Sequence, residues 1–423
     1  MEYRYREASE MKDSGVEWIG NIPKDWEICK VKYLCNIKSG EILSKTYFED
    51  KGIYPIYGSN GIIGRTNKKN NSNKAIIIGR VGACGEVNIA KEGWITDNAL
   101  ILGINYRKVN FSYMAYVLKS CNLKDLSSGT AQPLITGSQI KNIQVLSIDI
   151  KKQEKIANFL DKKTSQFDSI ISKKEALIEK LEEAKKILIS EVVTGKVKVV
   201  KTDDGYELVK RSSDEMKDSG VEWLGDIPKD WEVKRIKYLF KIKKNIAGKL
   251  GYDVLSVTQS GIKIKDITKN EGQLSMDYSK YQIVDIGDFV MNHMDLLTGF
   301  VDCSKYIGVT SPDYRVFRLL NDYYSKNFYN YIFQFCYYNK IFYSLGQGVS
   351  SIGRWRLQTE TFKNFILPKP PIREQEELVK ILECKIKEIE MLKNKLILNI
   401  QKLKEAKQSL ISEAVTGKIE ILD

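Results

Sequence analysis

The segment GIIGRTNKKNNSNK (61–74) sets Arg65, Lys68, Lys69 and Lys74 among asparagines that include Asn67 and Asn71. An arginine fork can hold guanine through two hydrogen bonds, and an asparagine amide can hold adenine in the same way. Lysines suit phosphates. An ordinary polar surface loop has the same composition. Arg80 follows in GRVGACG, between glycines that permit close backbone approach. Two polar turns come later: SSGTAQPLITGSQ (127–139), with Thr130 and Gln132, and GQGVSSIGRWRLQTE (346–360), with Gln347 and with Arg354 and Arg356 flanking Trp355. Arginines beside a tryptophan make a surface on which bases stack, although tryptophan is more often core. Asn292 and His293 stand in MNHMD. His293 is the chain's one histidine, and with no second histidine or cysteine pair it reads as a structural or surface residue, not a catalyst.

Several other chemistries lack their motifs. There is no GxxxxGK[ST] phosphate loop, no GxGxxG after a strand and no Asn-Pro-Pro-aromatic run; the one Pro-Pro is Pro370-Pro371, just before a helical pattern. No pair of carboxylates is specific enough for a nuclease. Seven cysteines are scattered without a CxxC, which argues against a zinc ribbon or a disulfide framework and fits a reducing cytoplasm. A single histidine excludes a His-rich metal site. The net charge of +13 favours a polyanionic partner, either nucleic acid or an anionic membrane surface. The membrane option weakens because the opening MEYRYREASEMKDSG has no apolar core of signal length. No run approaches the ~18–20 apolar residues that span a bilayer.

The elements that must position these residues come in two copies. Residues 11–40 and 216–245 are identical at 20 of 30 positions, at an offset of 205. LEEAKKILISEVVTGKV (181–197) returns as LKEAKQSLISEAVTGKI (403–419), at an offset of 222. The middles, 41–150 and 246–370, share almost no run of identity, and the second is longer by 17 residues. A constant frame carrying two different readers accounts for this better than a duplicated domain that drifted only in its middle.

Each half closes on a helical pattern. Leu382, Ile389, Leu396, Leu403 and Leu410 fall seven apart, and Leu160, Phe167, Leu181 and Leu188 take the same register with Lys174 as the exception. Companion seams are expected at Leu378, Leu392 and Ala406, and at Ile156, Ile170, Leu177 and Ala184. Such heptads predict coiled-coil packing, with a helix over 152–190 roughly 58 Å long. Gly195 and Gly417 mark the helix stops, and a polar linker of about 198–215 leads to the second half. Their mutual direction is left open by spacing alone. The middles read as mixed α/β globules. The expected strands are Tyr54–Tyr57, Ala75–Ile78, Ala99–Ile104, Ile143–Ile148, Asp253–Val257, Ile262–Ile267, Asp288–Met291, Arg315–Leu319 and Phe365–Leu367. Helices are expected near Phe111–Lys119 and Phe328–Tyr343.

The frame GVEWIGNIPKDWEICKVKYL, the turn SSGTAQPLI, the helix entry QEKIANFLDKKTSQFDSII and the exit LISEVVTGKV resemble the specificity subunit of type I restriction–modification systems. GVEWLGDIPKDWEVKRIKYL, PPIREQEELVKIL and LISEAVTGKI repeat the scheme, so the likeness covers essentially the whole chain. The resemblance implies an α+β, tandem pseudo-symmetric protein in which two α/β target-recognition domains are separated by two long helices packed as an antiparallel coiled coil. By position the parts are an N-terminal arm and first recognition domain (1–150), a spacer helix (151–197), a linker and repeat entry (198–224), a second recognition domain (225–371) and a second spacer helix (372–423). It further implies a non-catalytic, cytoplasmic subunit that reads a bipartite, asymmetric site on double-stranded DNA. Two modification subunits would bind S-adenosylmethionine and methylate adenine, and restriction subunits would use ATP and Mg to translocate and cleave. No cofactor, metal or membrane is implied for this chain itself. Three alternatives stay open: an orphan methyltransferase complex without restriction, a self-contained DNA-modifying enzyme, and a coiled-coil scaffold that binds only protein.

Overall fold

A computed structural model describes residues 2–127, 133–203, 205–266, 277–297, 299–348 and 355–422. Among them lie seven α-helices: α1 (Phe111–Ser120), α2 (Gly137–Asn142), α3 (Ile150–Val193), α4 (Lys326–Tyr338), α5 (Ile341–Ser344), α6 (Thr359–Asn364) and α7 (Ile372–Val415). The chain divides into two compact units. Unit 1 comprises Met1–Ala176 and Leu396–Asp423, and unit 2 comprises Leu177–Lys395, so α3 and α7 each contribute to both.

In unit 1 an antiparallel sheet orders its strands Cys35–Ser39, Ala99–Ile104, Ala75–Gly79, Val87–Ala90. A smaller sheet sets Tyr54–Gly58 between Gly61–Thr66 and the parallel strand Trp94–Ile95. Asn110 caps α1 by accepting the Tyr113 amide at 3.0 Å. The α1 face carrying Tyr113, Met114, Val117 and Leu118 is buried with Ile76, Ile78, Leu100 and Leu102 of the sheet. Leu160 of α3 and Ile411 and Val415 of α7 join the same core.

Unit 2 repeats the order with Phe240–Lys243, Arg315–Leu319, Phe289–Met291, Val301–Cys303, again antiparallel. Its second layer is two ribbons, Leu255–Thr258 with Gly261–Ile264 and Gln282–Val284 with Gly308–Thr310. The helix expected over Phe328–Tyr343 is two helices. Lys340, at φ 56°, adopts the left-handed conformation and separates α4 from α5. The expected strand over Ile262–Ile267 ends at Ile264, and its last residue lies outside the described residues. The segment read as a polar linker instead forms a β-hairpin, Val197–Thr202 with Gly205–Lys210.

The two long helices run antiparallel, as the resemblance implies. In unit 1, Lys407 pairs with Asp168 at 2.6 Å and Lys404 with Glu175 at 3.7 Å. In unit 2, Lys185 pairs with Glu390 at 2.7 Å, and Lys393 pairs with Glu182. In both units the numbering rises on one helix as it falls on the other. The expected seam of Leu160, Phe167, Leu181 and Leu188 on α3, and of Leu382, Ile389, Leu396, Leu403 and Leu410 on α7, is buried or half-buried. The companion seam holds at Ile156 and Leu378, both buried, and needs correction beyond them. Ile170, Leu177 and Leu392 are 45%, 46% and 52% exposed. The inward companions lie one residue on, at Ile171, Ile178 and Lys185, and at Ile386, Lys393, Ile400 and Lys407. Lysines at three of these places hid the stripe, because each turns its ammonium to an acid on the opposite helix.

The frame closes each helix end in the same way. Gly195 and Gly417 both have φ 72°. A Cβ on Gly417 would lie 2.7 Å from both Pro23 and Trp26, and one on Gly195 2.4 Å from Pro228 and 3.0 Å from Trp231. The glycine therefore serves as helix stop and as the seat for the Pro-x-x-Trp of the frame. Beyond Gly417, Ile419–Ile421 pairs with Tyr3–Tyr5. Ile419 sits opposite Tyr5 as Val197 sits opposite Lys210 in the hairpin of unit 2.

Candidate nucleic-acid interface

Because the frame supplies the first strand of each four-stranded sheet, strand register aligns the two unlike middles. Ile37 faces Leu102, which faces Ile76; Ile242 faces Phe317, which faces Phe289. Ile37 and Ile242 are the same frame position at the 205 offset. Ile76 and Phe289 therefore correspond. Four residues further along, just past the strand, Arg80 corresponds to His293. A backbone bond confirms the match. The Ile135 amide donates to the Arg80 carbonyl at 3.0 Å, and the Leu357 amide donates to the His293 carbonyl at 3.0 Å. Ile135 and Leu357 each stand immediately before the capping residue of a short helix, Thr136 for α2 and Gln358 for α6. The turn GRVGACG and the turn containing MNHMD are thus one structural feature, each held by the polar segment that precedes α2 or α6.

In unit 1 the Arg80 backbone is fixed on both sides, since its amide donates to Asn98 O at 2.8 Å and its carbonyl also receives the Cys84 thiol at 3.0 Å. A Cβ on Gly79 would lie 2.0 Å from Ala83 O and 2.6 Å from Ser59 O, so only glycine fits the turn's entry. In unit 2, His293 lines a cleft of about 560 Å³ with Lys243, Lys244, Gln282, Arg315 and Arg356. Burial, with the Arg315 and Arg356 charges nearby, pushes the His293 imidazole down to about 4, so it is neutral at neutral pH. Its Nδ1 is buried without a hydrogen-bond partner among the described residues. Arg315 is 4% exposed. Its guanidinium donates to Leu357 O at 3.0 Å and Thr359 Oγ1 at 3.3 Å and lies 4.4 Å from the Phe362 ring centroid. Burial lowers it to about 10. Lys243 is neutralised by Asp285 at 2.8 Å and by the fully buried Asp288 at 2.5 Å. Arg315 and Gln282 escaped the sequence reading because both lie inside strand-like runs, where nothing marks them as facing a cleft.

The segment 61–74 is more ordered than a polar loop. Gly61–Thr66 is a strand, and Arg65 donates to Gly52 O at 2.6 Å and Ile53 O at 2.8 Å. Asn67 accepts the Ile53 amide at 3.1 Å and donates to Glu49. Asn71 donates to Lys91 O at 3.0 Å and bridges to Gly93. Lys69 pairs with Glu92 at 2.5 Å. Lys68 sits 3.3 Å from the Tyr47 ring centroid and Lys74 4.6 Å from that of Phe111. These groups are engaged within the protein, and Asn71 and Lys74 line one cleft with Asn36 and Lys38. In unit 2, Asn292 O accepts the Tyr337 hydroxyl at 2.6 Å, and Gln347 and Arg356 exchange backbone bonds of 2.9 and 3.0 Å. Trp355 donates to Tyr343 O at 2.6 Å and packs on the core of unit 2, so its ring is a structural support. Thr130, Gln132 and Arg354 lie outside the described residues. Among the described residues no group of three His, Cys, Asp or Glu is placed to hold a metal, and no helix is long and apolar enough to cross a membrane.

Comparison with known proteins agrees with this architecture. The model of the type I restriction modification DNA specificity domain matches residues 23–183 and again 228–402. The MjaVIII specificity subunit of Methanocaldococcus jannaschii is 24% identical over 434 residues, covering 95% of this chain and 94% of that relative. The EcoprrI specificity subunit of Escherichia coli is 30% identical over 146 residues, covering 34% of this chain and 36% of the relative. A solved chain from work on complex assembly and conformational transition of the type I restriction–modification system shares the fold, with a TM-score of 0.64 at 12% identity over 94% of this chain and 99% of that one. With both halves matched and the relatives named alike, the chain belongs to the type I restriction–modification specificity subunit family.

Proposed function

We propose that this chain reads a two-part, asymmetric DNA site and directs partner subunits that methylate adenine and, where restriction subunits are present, cleave. The observation that carries the reading is the pair of units with one frame and one sheet order but unlike side chains at the corresponding turn, Arg80 against His293. Two readers of unlike chemistry specify two unlike half-sites. The surplus of 67 basic over 54 acidic residues supports backbone attraction to the duplex.

The two 44-residue helices support a spacer role. A heptad inserted in both would shift one reader by about 10 Å, near three base pairs. Docking of two modification subunits is supported by apolar side chains that α3 and α7 leave exposed: Ile170, Ile397 and Leu398 in unit 1, and Leu177, Ile187, Met391 and Leu392 in unit 2. S-adenosylmethionine, ATP and Mg belong in this reading to those partners.

The test is coexpression with the modification subunits, followed by mapping of methylated adenines. A gapped site with two different halves is expected, and exchange of residues 41–150 should change one half only. Methylation without a gap, or both halves changing together, overturns the proposal. Adding the restriction subunits and scoring cleavage of unmethylated DNA separates a restriction complex from an orphan methyltransferase.

A further inference from the structure

We infer that Arg80 and His293 are the corresponding specificity-determining positions of the two units, and that Arg80 selects a guanine in the half-site read by unit 1. The inference rests on the two-half-site reading above and adds to it which residue reads and which base it takes.

The argument starts from the backbone. Register places both residues at the same point past the same strand, and the amide before α2 or α6 holds each carbonyl at 3.0 Å. A side chain that discriminates bases must leave from a fixed point, or its hydrogen bonds are lost to disorder. Arg80 does so, held by Asn98 O, Ile135 N and the Cys84 thiol.

The side chains of the turn come next. In GRVGACG three positions are glycine, two of them at φ 78° and 80°, and Val81 and Ala83 carry no polar group. The Cys84 thiol turns inward to the Arg80 and Pro133 carbonyls. With the Cys84 thiol engaged, half-buried Arg80 is the turn's one remaining side chain able to hydrogen-bond. Unlike Arg65, whose fork is tied to two carbonyls, Arg80 has no side-chain hydrogen bond or ion pair among the described residues. Five N–H donors and no acceptor match the O6 and N7 acceptors of guanine in the major groove, and no other base offers two acceptors there.

Unit 2 puts a different chemistry at the same place. A neutral imidazole offers one donor and one acceptor, and positive charge lies beside it on the buried, hydrogen-bonded Arg315 and on Arg356. The two half-sites therefore differ at the base pair under this position.

The experiment uses the full chain with its modification subunits and maps methylated adenines for the wild type and for Arg80→Ala, Arg80→Lys and His293→Arg. Arg80→Ala is expected to relax one guanine in one half-site, with discrimination falling about 10- to 100-fold, and to leave the other half unchanged. Arg80→Lys keeps the charge but loses the fork, so it should relax the same base pair. His293→Arg should alter one base pair in the other half only. Melting temperatures equal to that of the wild type exclude misfolding as the cause. An even loss of methylation on every site would make Arg80 a phosphate contact and overturn the inference. So would unchanged stringency, or a unit 1 half-site without guanine. If the wild-type complex itself shows no gapped site, the underlying reading fails instead.

Discussion

Units 1 and 2 solve the same mechanical problem with the same few residues. Gln153 and Gln375, 2% and 0% exposed, sit at the same point near the start of α3 and α7. Each accepts the amide of a helix-capping residue, Asn110 at 2.8 Å and Ser325 at 3.0 Å, and so ties a reader's principal helix to a long helix. The reader cores differ. Where unit 1 packs Ile76, Leu102, Met114 and Leu118, unit 2 packs Phe289, Phe317, Phe333 and Phe362, with ring centroids 5.0–6.3 Å apart. Aliphatic and aromatic fillings support one sheet order. The frame therefore fixes the architecture through caps, seats and buried amides, and the reader interior is free to change as long as it fills its volume.

The comparison is sharpened most by emptying the corresponding core position in each unit. Phe317→Ala should cost about 3–5 kcal/mol and Leu102→Ala about 2–5 kcal/mol, measured by urea unfolding of the full chain. A negligible loss in one unit would break the equivalence. Gly195→Ala and Gly417→Ala come next. The left-handed backbone and the contact with Pro and Trp should together cost about 2 kcal/mol at each site, and thermal melting should show matched losses. Gln153→Ala and Gln375→Ala leave buried amides unpaired, at about 1–3 kcal/mol each. The effect of mild acid, above the range where paired carboxylates such as Glu10 of unit 1 take up protons, should fall mainly on unit 2. His293 is lowered from 6.5 to about 4, so the unfolded chain binds the extra proton. Stability is complete above about pH 6.5 and declines toward pH 4, by something on the order of 1 kcal/mol for this partly exposed group. Hydrogen exchange across that range should show unit 2 loosening, and His293→Asn should remove the trend. The smallest effect belongs to the matched ion pairs Lys407–Asp168 and Lys185–Glu390, where Asp168→Asn or Glu390→Gln should cost under about 1 kcal/mol and vanish in high salt.

Much of this architecture was legible in the residues. The repeated frame, the two helices with their principal seams, and the strands Ala75–Gly79, Ala99–Ile104 and Arg315–Leu319 all announce themselves through identity or periodicity. Beyond Ile156 and Leu378 the companion seam was misplaced because Lys185, Lys393 and Lys407 interrupt its apolar signal, and charge pairing between helices distant in sequence leaves no local trace. The density of Arg, Asn and Lys in 61–74 pointed at a contact surface, yet Arg65 and Asn67 tie their own strand to Gly52 and Ile53. The correspondence of Arg80 with His293 was out of reach, because it exists only as hydrogen-bond register between strands whose side chains share nothing.

The pairing of Tyr3–Tyr5 with Ile419–Ile421 has a topological consequence. Leu422 already donates its amide to Glu2 O at 2.9 Å, and the equivalent strands of unit 2 are joined by a tight hairpin. A permuted polypeptide, opened at that hairpin and bridged between Leu422 and Glu2 by a short connector, would keep every strand partner it has now. The strand pair that closes each unit thus depends on register between its two strands and not on a covalent turn joining them.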